Sequence, residues 1–149
     1  MRFLGLDLGE RRIGVALSDA SGWLARPLTV VLRSELEAEL DAIAKLVREH
    51  RVQQVVVGYP LSLDGTVGQQ ATRVAKYVRQ LRECLPVPVV LWDERLSTAQ
   101  AERLIHDTGK RVRRERIDAA AAAVILQSYL DAQGSAVQPA GESEKRSAD

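Results

Sequence analysis

Three acidic residues of this 149-residue chain stand where a carboxylate is hard to keep without a role. Asp7 closes the apolar run Phe3-Leu4-Gly5-Leu6 and precedes Leu8-Gly9. An acid at the end of a strand that reads as buried on both faces is costly unless an ion, a partner charge or a reaction compensates it. Glu94 follows a second apolar run, Val87 to Trp92, and Asp118 opens an alanine-rich segment, Ile117 to Ala123. Three carboxylates on the ends of three elements can converge on a divalent cation, and that arrangement suits phosphodiester chemistry.

The neighbours of these acids bear on the same chemistry. A regular strand sends Asp93 and Glu94 to opposite faces, so at most one of them joins Asp7 directly. Arg95 either forks on a phosphate or neutralises the two acids. Arg11 and Arg12 follow Asp7, and the run Lys110, Arg111, Arg113, Arg114 and Arg116 precedes Asp118. Such positions could hold a polyanion's backbone, although a charge run is also what a solvated surface carries. The stretch from Gly58-Tyr59-Pro60 to Asp64-Gly65-Thr66 could cradle a phosphate at a helix start, but it does not match a Walker A loop. Aromatic residues are 4% of the chain, so base stacking rests mainly on Tyr59. Blander readings exist: Asp7-Leu8-Gly9 as a turn with a permissive glycine, and Asp118 as a helix-dipole aspartate in a first turn.

The elements that must position these residues follow from periodicity. Arg2 to Asp7 reads as a buried strand. Arg12 to Ser18 alternates Ile13, Val15 and Leu17 on one face, and the short Gly9-Glu10-Arg11 link makes a hairpin. Leu28 to Leu32 is a third strand, with Pro27 marking its start or an edge. Ser34-x-x-Glu37 has capping-box spacing, and Leu36, Leu40, Ile43 and Val47 make Glu35 to His50 a helix. Gln54 to Tyr59 is a buried strand. A helix carrying Val67, Ala71, Val74, Val78 and Leu81 follows, then a strand from Val87 to Trp92. Ser97 opens a helix through Ile105 that Gly109 stops, and Arg116 to Asp131 is the last helix. Residues 1–133 read as one domain. Gly134 to Asp149 has no apolar face and reads as a disordered tail. Strands joined by crossover helices place ligands at strand carboxyl ends, where Asp7 and Glu94 lie.

Composition sets the bounds. Net charge is +1, so nucleic-acid binding would need a local patch. The single cysteine, Cys84, rules out an internal disulfide and fits a reducing compartment. No apolar run reaches membrane-spanning length and no leader pattern is legible, so a cytoplasmic protein is expected.

Four blocks together carry a resemblance. They are Gly5-Leu6-Asp7-Leu8-Gly9 with Arg12-Ile13-Gly14-Val15-Ala16, Val57-Gly58-Tyr59-Pro60 with Gly65, Asp93-Glu94-Arg95 with Ser97, Thr98 and Ala101, and Asp118 with Ala120, Ala121, Ile125, Leu126, Tyr129 and Leu130. In order and spacing they resemble the YqgF/RuvX family, bacterial proteins similar to Holliday-junction resolvases and also described as pre-16S rRNA nucleases. The resemblance spans Arg2 to about Leu130. It implies a ribonuclease-H-like α/β fold, a five-stranded mixed sheet flanked by helices. It also implies an acidic metal site at Asp7, Glu94 (or Asp93) and Asp118, holding Mg²⁺ or Mn²⁺. Arg11, Arg12, Arg95 and the 110–116 run would bind the nucleic acid. Structured RNA of the ribosome precursor is the favoured substrate and branched DNA the alternative. Two other classes stay open: a nucleotide-clamping domain with an Asp-x-Gly phosphate loop, and a non-catalytic nucleic-acid-binding module.

Overall fold

The structure is a computed structural model that describes residues 1–62, 64–96 and 114–143. Five strands form one mixed sheet: β1 (Phe3–Leu8), β2 (Arg12–Ser18), β3 (Ala25–Leu32), β4 (Gln54–Tyr59) and β5 (Val89–Asp93), in the order β3-β2-β1-β4-β5. β1 to β3 are an antiparallel meander, and β4 and β5 run parallel to β1. Helices α1 (Leu36–Glu49) and α2 (Gln69–Cys84) pack on one face. A long helix, α3 (Arg114–Ser143), lies across the other. The five-stranded mixed sheet is the one the family resemblance implies.

Strand parity explains the two cores. Leu4, Leu6, Leu8, Ile13, Val15, Leu17, Val55 and Val57 point toward α1 and α2. Phe3, Ala16 and Val56 point toward α3 and meet Ala122, Ala123, Leu126, Tyr129 and Leu130. β1 is therefore apolar on both faces, as a central strand must be, until Asp7 breaks the run on the α3 side.

Several boundaries differ from the periodicity reading. β3 starts at Ala25, and Pro27 sits inside it, opposite Ala16 just past a register shift. An edge strand tolerates the missing N–H. The capping box at Ser34 and Glu37 does not form. Glu35 occupies the cap position with no side-chain bond, and the Ser34 N–H donates to Glu39 instead. α3 begins before Arg116 and continues past Gly134 to Ser143, into the segment read as a tail. One glycine costs a helix about 1 kcal/mol, too little to stop one already anchored upstream. The expected helix from Ser97 through Ile105, and its stop at Gly109, lie outside the described residues. Among the described residues no helix is long and apolar enough to cross a membrane.

Candidate active site

Glycines set the floor of the site. Asp7 pairs directly with Gly14 across the β1–β2 ladder. A Cβ on Gly14 would fall 2.0 Å from the backbone oxygen of Asp118, and one on Gly5 would fall 2.8 Å from Cβ of Leu126. Only hydrogen fits there, so α3 rides directly on β1 and β2. The alanine run Ala119–Ala123 is small enough to let it do so. The close approach brings Asp118 to the strand position beside Asp7. Asp118 lies one turn inside α3 rather than in its first turn, so the helix-dipole reading does not describe it. Nη1 of Arg12, at the start of β2, stands 3.9 Å from Oδ2 of Asp118.

Gly58 plays the same part on the other side. Leu6 pairs with Val57, which sets Gly58 beside Asp7. A Cβ at Gly58 would come within 2.7 Å of Oε2 of Glu94 and 2.8 Å of Ile125. The Glu94 carboxyl therefore lies over Gly58, on the α3 face with Asp7. Asp93 is the last residue of β5 and shares the parity of Leu91, on the α1–α2 side, whereas Glu94 begins a short 3-10 turn; Arg95 clamps Asp93. Nε donates to both Asp93 oxygens at 3.0 and 2.9 Å, and Nη2 donates to Oδ2 at 2.6 Å.

The electrostatics separate the two acids of this pair. Burial, and then repulsion from Asp118, raises the Asp7 pKa from 3.8 to about 6. Burial, then Asp7, then Asp93, raises Glu94 from 4.5 to about 7. The Arg95 hydrogen bonds hold Asp93 below its ordinary value. Asp7 is thus the member shared by two repelling pairs, Asp7–Asp118 and Asp7–Glu94, while Asp93 is neutralised by its own arginine. Calorimetric titration of Mn²⁺ should accordingly show Glu94→Gln losing at least about tenfold in affinity, a difference of about 1.4 kcal/mol, with Asp93→Asn near wild type. Lost binding in Asp93→Asn alone would reverse the order.

The remaining sequence candidates are scattered. Arg11 is exposed on the hairpin. Arg95 reaches the Gly58–Gly65 loop, its Nη1 3.4 Å from the Cβ position of Gly65, besides holding Asp93. Tyr59 packs against the α1–α2 core, on the face opposite Asp7, and pairs with Asp93 across the β4–β5 ladder. Arg114 opens α3, and Lys110, Arg111 and Arg113 lie outside the described residues. In the sequence reading Gly14 has no site role and Gly58 only a place in a phosphate-cradling stretch, and neither glycine admits a neighbouring acid. Their signal is a glycine inside a strand, which marks close backbone or ligand approach.

This sheet order, with the last helix laid over the central strand, defines a ribonuclease-H-like fold. The chain belongs to the RuvX family, whose model, described as Holliday junction resolvase, matches residues 1–132. It is 49% identical over 134 residues to a protein of Syntrophus aciditrophicus named "Putative pre-16S rRNA nuclease", covering 89% of each chain. A like-named protein of Shouchella clausii is 47% identical over 89% of this chain and 96% of its own. RuvC of T. thermophilus in complex with a Holliday junction substrate superposes with a TM-score of 0.61, over 89% of this chain and 96% of that one. At 15% identity that likeness speaks to the fold alone.

Proposed function

We propose that this chain is a divalent-metal-dependent nuclease that hydrolyses phosphodiester bonds in the 5′ maturation of precursor 16S rRNA. The observation that carries the reading is Asp7, a carboxylate on the central strand repelled by Asp118 on one side and by Glu94 on the other. The names of the relatives supply the substrate, and a cytoplasmic setting belongs to the same reading. The nuclease unit in it is residues 1–133.

The donor set fits a hard cation. All three side chains offer oxygen, and a bound cation offsets the burial and repulsion that raise two of them. The missing side chains at Gly14 and Gly58 let the Asp118 backbone and the Glu94 carboxyl come close beside Asp7. Among the described residues no three acidic, histidine or cysteine side chains are grouped closely enough to ligate one ion as they stand. Drawing Asp7, Glu94 and Asp118 together is therefore part of Mg²⁺ or Mn²⁺ binding in this reading. Bound there, the cation would polarise the scissile phosphate and acidify an attacking water. Glu94, raised to about 7, must first release its proton, Asp7 being already ionised above about pH 6, and Arg12 restrains Asp118. Arg11, Arg95 and the 110–116 run would carry backbone phosphates.

The deciding experiment sets labelled precursor 16S RNA beside four-way DNA junctions with Mg²⁺ or Mn²⁺. Cleavage of the RNA near its 5′ side with the junction intact is the expected result. Cleavage of the junction alone would establish the resolvase activity that the family description names. Tight binding without cleavage of either would make the chain a binding module. In a salt series, replacing both Arg113 and Arg114 by Ala should flatten the log–log slope by about 0.7–0.9 for each phosphate no longer neutralised. An unaltered slope would make that run a solvated face.

A further inference from the structure

On the sheet face opposite the acids, the turn after Asp7 borders a cavity of about 300 Å³ that the proposed reaction does not use. Leu8 and Val74 form an apolar wall, and Glu10, Arg33, Gln70 and Arg73 bring polar groups to it. Arg33 is fixed there. Its Nε donates to Oε2 of Glu39 at 3.1 Å and its Nη1 to the Gly9 carbonyl at 2.6 Å, and its guanidinium lies 5.4 Å from the centre of the Tyr77 ring. Glu39, 2% exposed, also accepts from the Ser34 N–H at 2.7 Å and the Tyr77 hydroxyl at 3.0 Å. Both oxygens of this buried carboxylate are spent on holding the arginine and its surroundings. Nη2 of Arg33 has no protein acceptor among the described residues.

We infer that this cavity binds one nucleotide unit, its phosphate between Arg33 and Arg73 and its sugar and base against Leu8 and Val74. Guanidinium forks match a phosphate, and a pre-oriented fork loses little entropy on binding. The Glu10 carboxylate disfavours a bare polyanion but accepts from a ribose hydroxyl or a base amine, and the Gln70 amide can serve either. The volume is at the lower end for small-molecule sites, room for one nucleotide and no more. The unit is either free or part of a strand. Gly9, two residues from Asp7, links the cavity to the acids through its bond to Arg33.

The test titrates the full-length protein with uridine 5′-monophosphate, ribose 5-phosphate and inorganic phosphate, followed by amide chemical shifts. Arg73 is exposed on α2, so Arg73→Ala should fold, whereas Arg33→Ala would strand the buried Glu39. The nucleotide should bind tightest and shift residues around Leu8 and Val74. Arg73→Ala should weaken it about tenfold or more. Asp7→Asn, which disables the acidic site, should leave it unchanged, so this inference and the nuclease reading fail separately. Displacement of the nucleotide by oligouridylate would assign the site to a strand, and retention would assign it to free nucleotide. No saturable binding, equal binding of all three ligands, an unaffected Arg73→Ala, or loss in Asp7→Asn would overturn it.

Discussion

Asp7→Asn should lower metal-dependent cleavage by roughly 10³-fold, the scale of removing one preorganised electrostatic interaction, and should at the same time stabilise the metal-free protein near neutral pH. The second half follows from the sign of the pKa shift. Below the ordinary value of 3.8, Asp7 is protonated whether the chain is folded or not, and its burial costs no charge. Between 3.8 and about 6 the unfolded chain releases the proton while the folded one keeps it, so folding weakens as pH rises. Above about 6 the whole penalty is in place, on the order of 2–3 kcal/mol for a shift of this size. Glu94 adds in the same direction up to about 7. Asparagine carries no such penalty, so the variant should melt several degrees higher than wild type in chelator at about pH 8, with the gap closing toward pH 4. Added Mn²⁺ should stabilise wild type and not the variant. Equal cleavage rates in a folded Asp7→Asn would remove Asp7 from the chemistry. A variant that melts lower at every pH would mean that its carboxylate is structural.

The second large effect belongs to a residue with no functional group. Gly14→Ala places a Cβ 2.0 Å from the Asp118 carbonyl, and the obstacle is helix backbone that cannot rotate away. Either α3 lifts off β1 and β2 or the strand buckles. Overpacking against rigid backbone should cost about 3 kcal/mol or more. The same displacement carries Asp118 away from Asp7, so Mn²⁺ affinity should fall beyond what unfolding explains. Gly134→Ala is the control. Its Cβ would meet only Cζ3 of Trp23 at 3.7 Å, an ordinary separation. Removing a glycine from the α3 interior should stabilise by about 0.5–1 kcal/mol. Thermal melts of both variants decide the matter. An unshifted Gly14→Ala would show that α3 does not ride on the strand as described. An unshifted Gly134→Ala would show that the part of α3 beyond Gly134 contributes nothing in solution.

Strand parity makes much of this site legible in the sequence. Asp7 and Glu94 end apolar runs, and period-2 alternation lets only one of Asp93 and Glu94 face Asp7. The alanines after Asp118 announce a helix able to lie close to a sheet. None of this depends on packing between distant segments, because burial and alternation are written into local residue order. Helix ends are less legible. Glu39 takes the Ser34 N–H that a capping box would assign to Glu37, and α3 passes through a glycine that local rules treat as a stop. Burial of Glu39 outweighs a capping preference of about 1 kcal/mol, and a glycine cost of similar size does not end α3.

The sequence by itself determined which residues have a carboxylate to offer, and that Asp7 ends a central strand, Glu94 follows the last strand and Asp118 stands on the final helix. Tertiary structure alone decided that the three elements meet at one place. That meeting depends on Gly14 and Gly58, where an absent Cβ admits the Asp118 backbone on one side of Asp7 and the Glu94 carboxyl on the other. The raised pKa values are likewise tertiary, since burial and like-charge repulsion arise only once the distant segments are packed. So is the Arg33–Glu39–Tyr77 network, whose members come from the end of the meander and from two different helices. No local pattern distinguishes a glutamate that will be 2% exposed from its solvated neighbours on the same helix, because the arginine and tyrosine that make its burial tolerable are brought to it only by the fold.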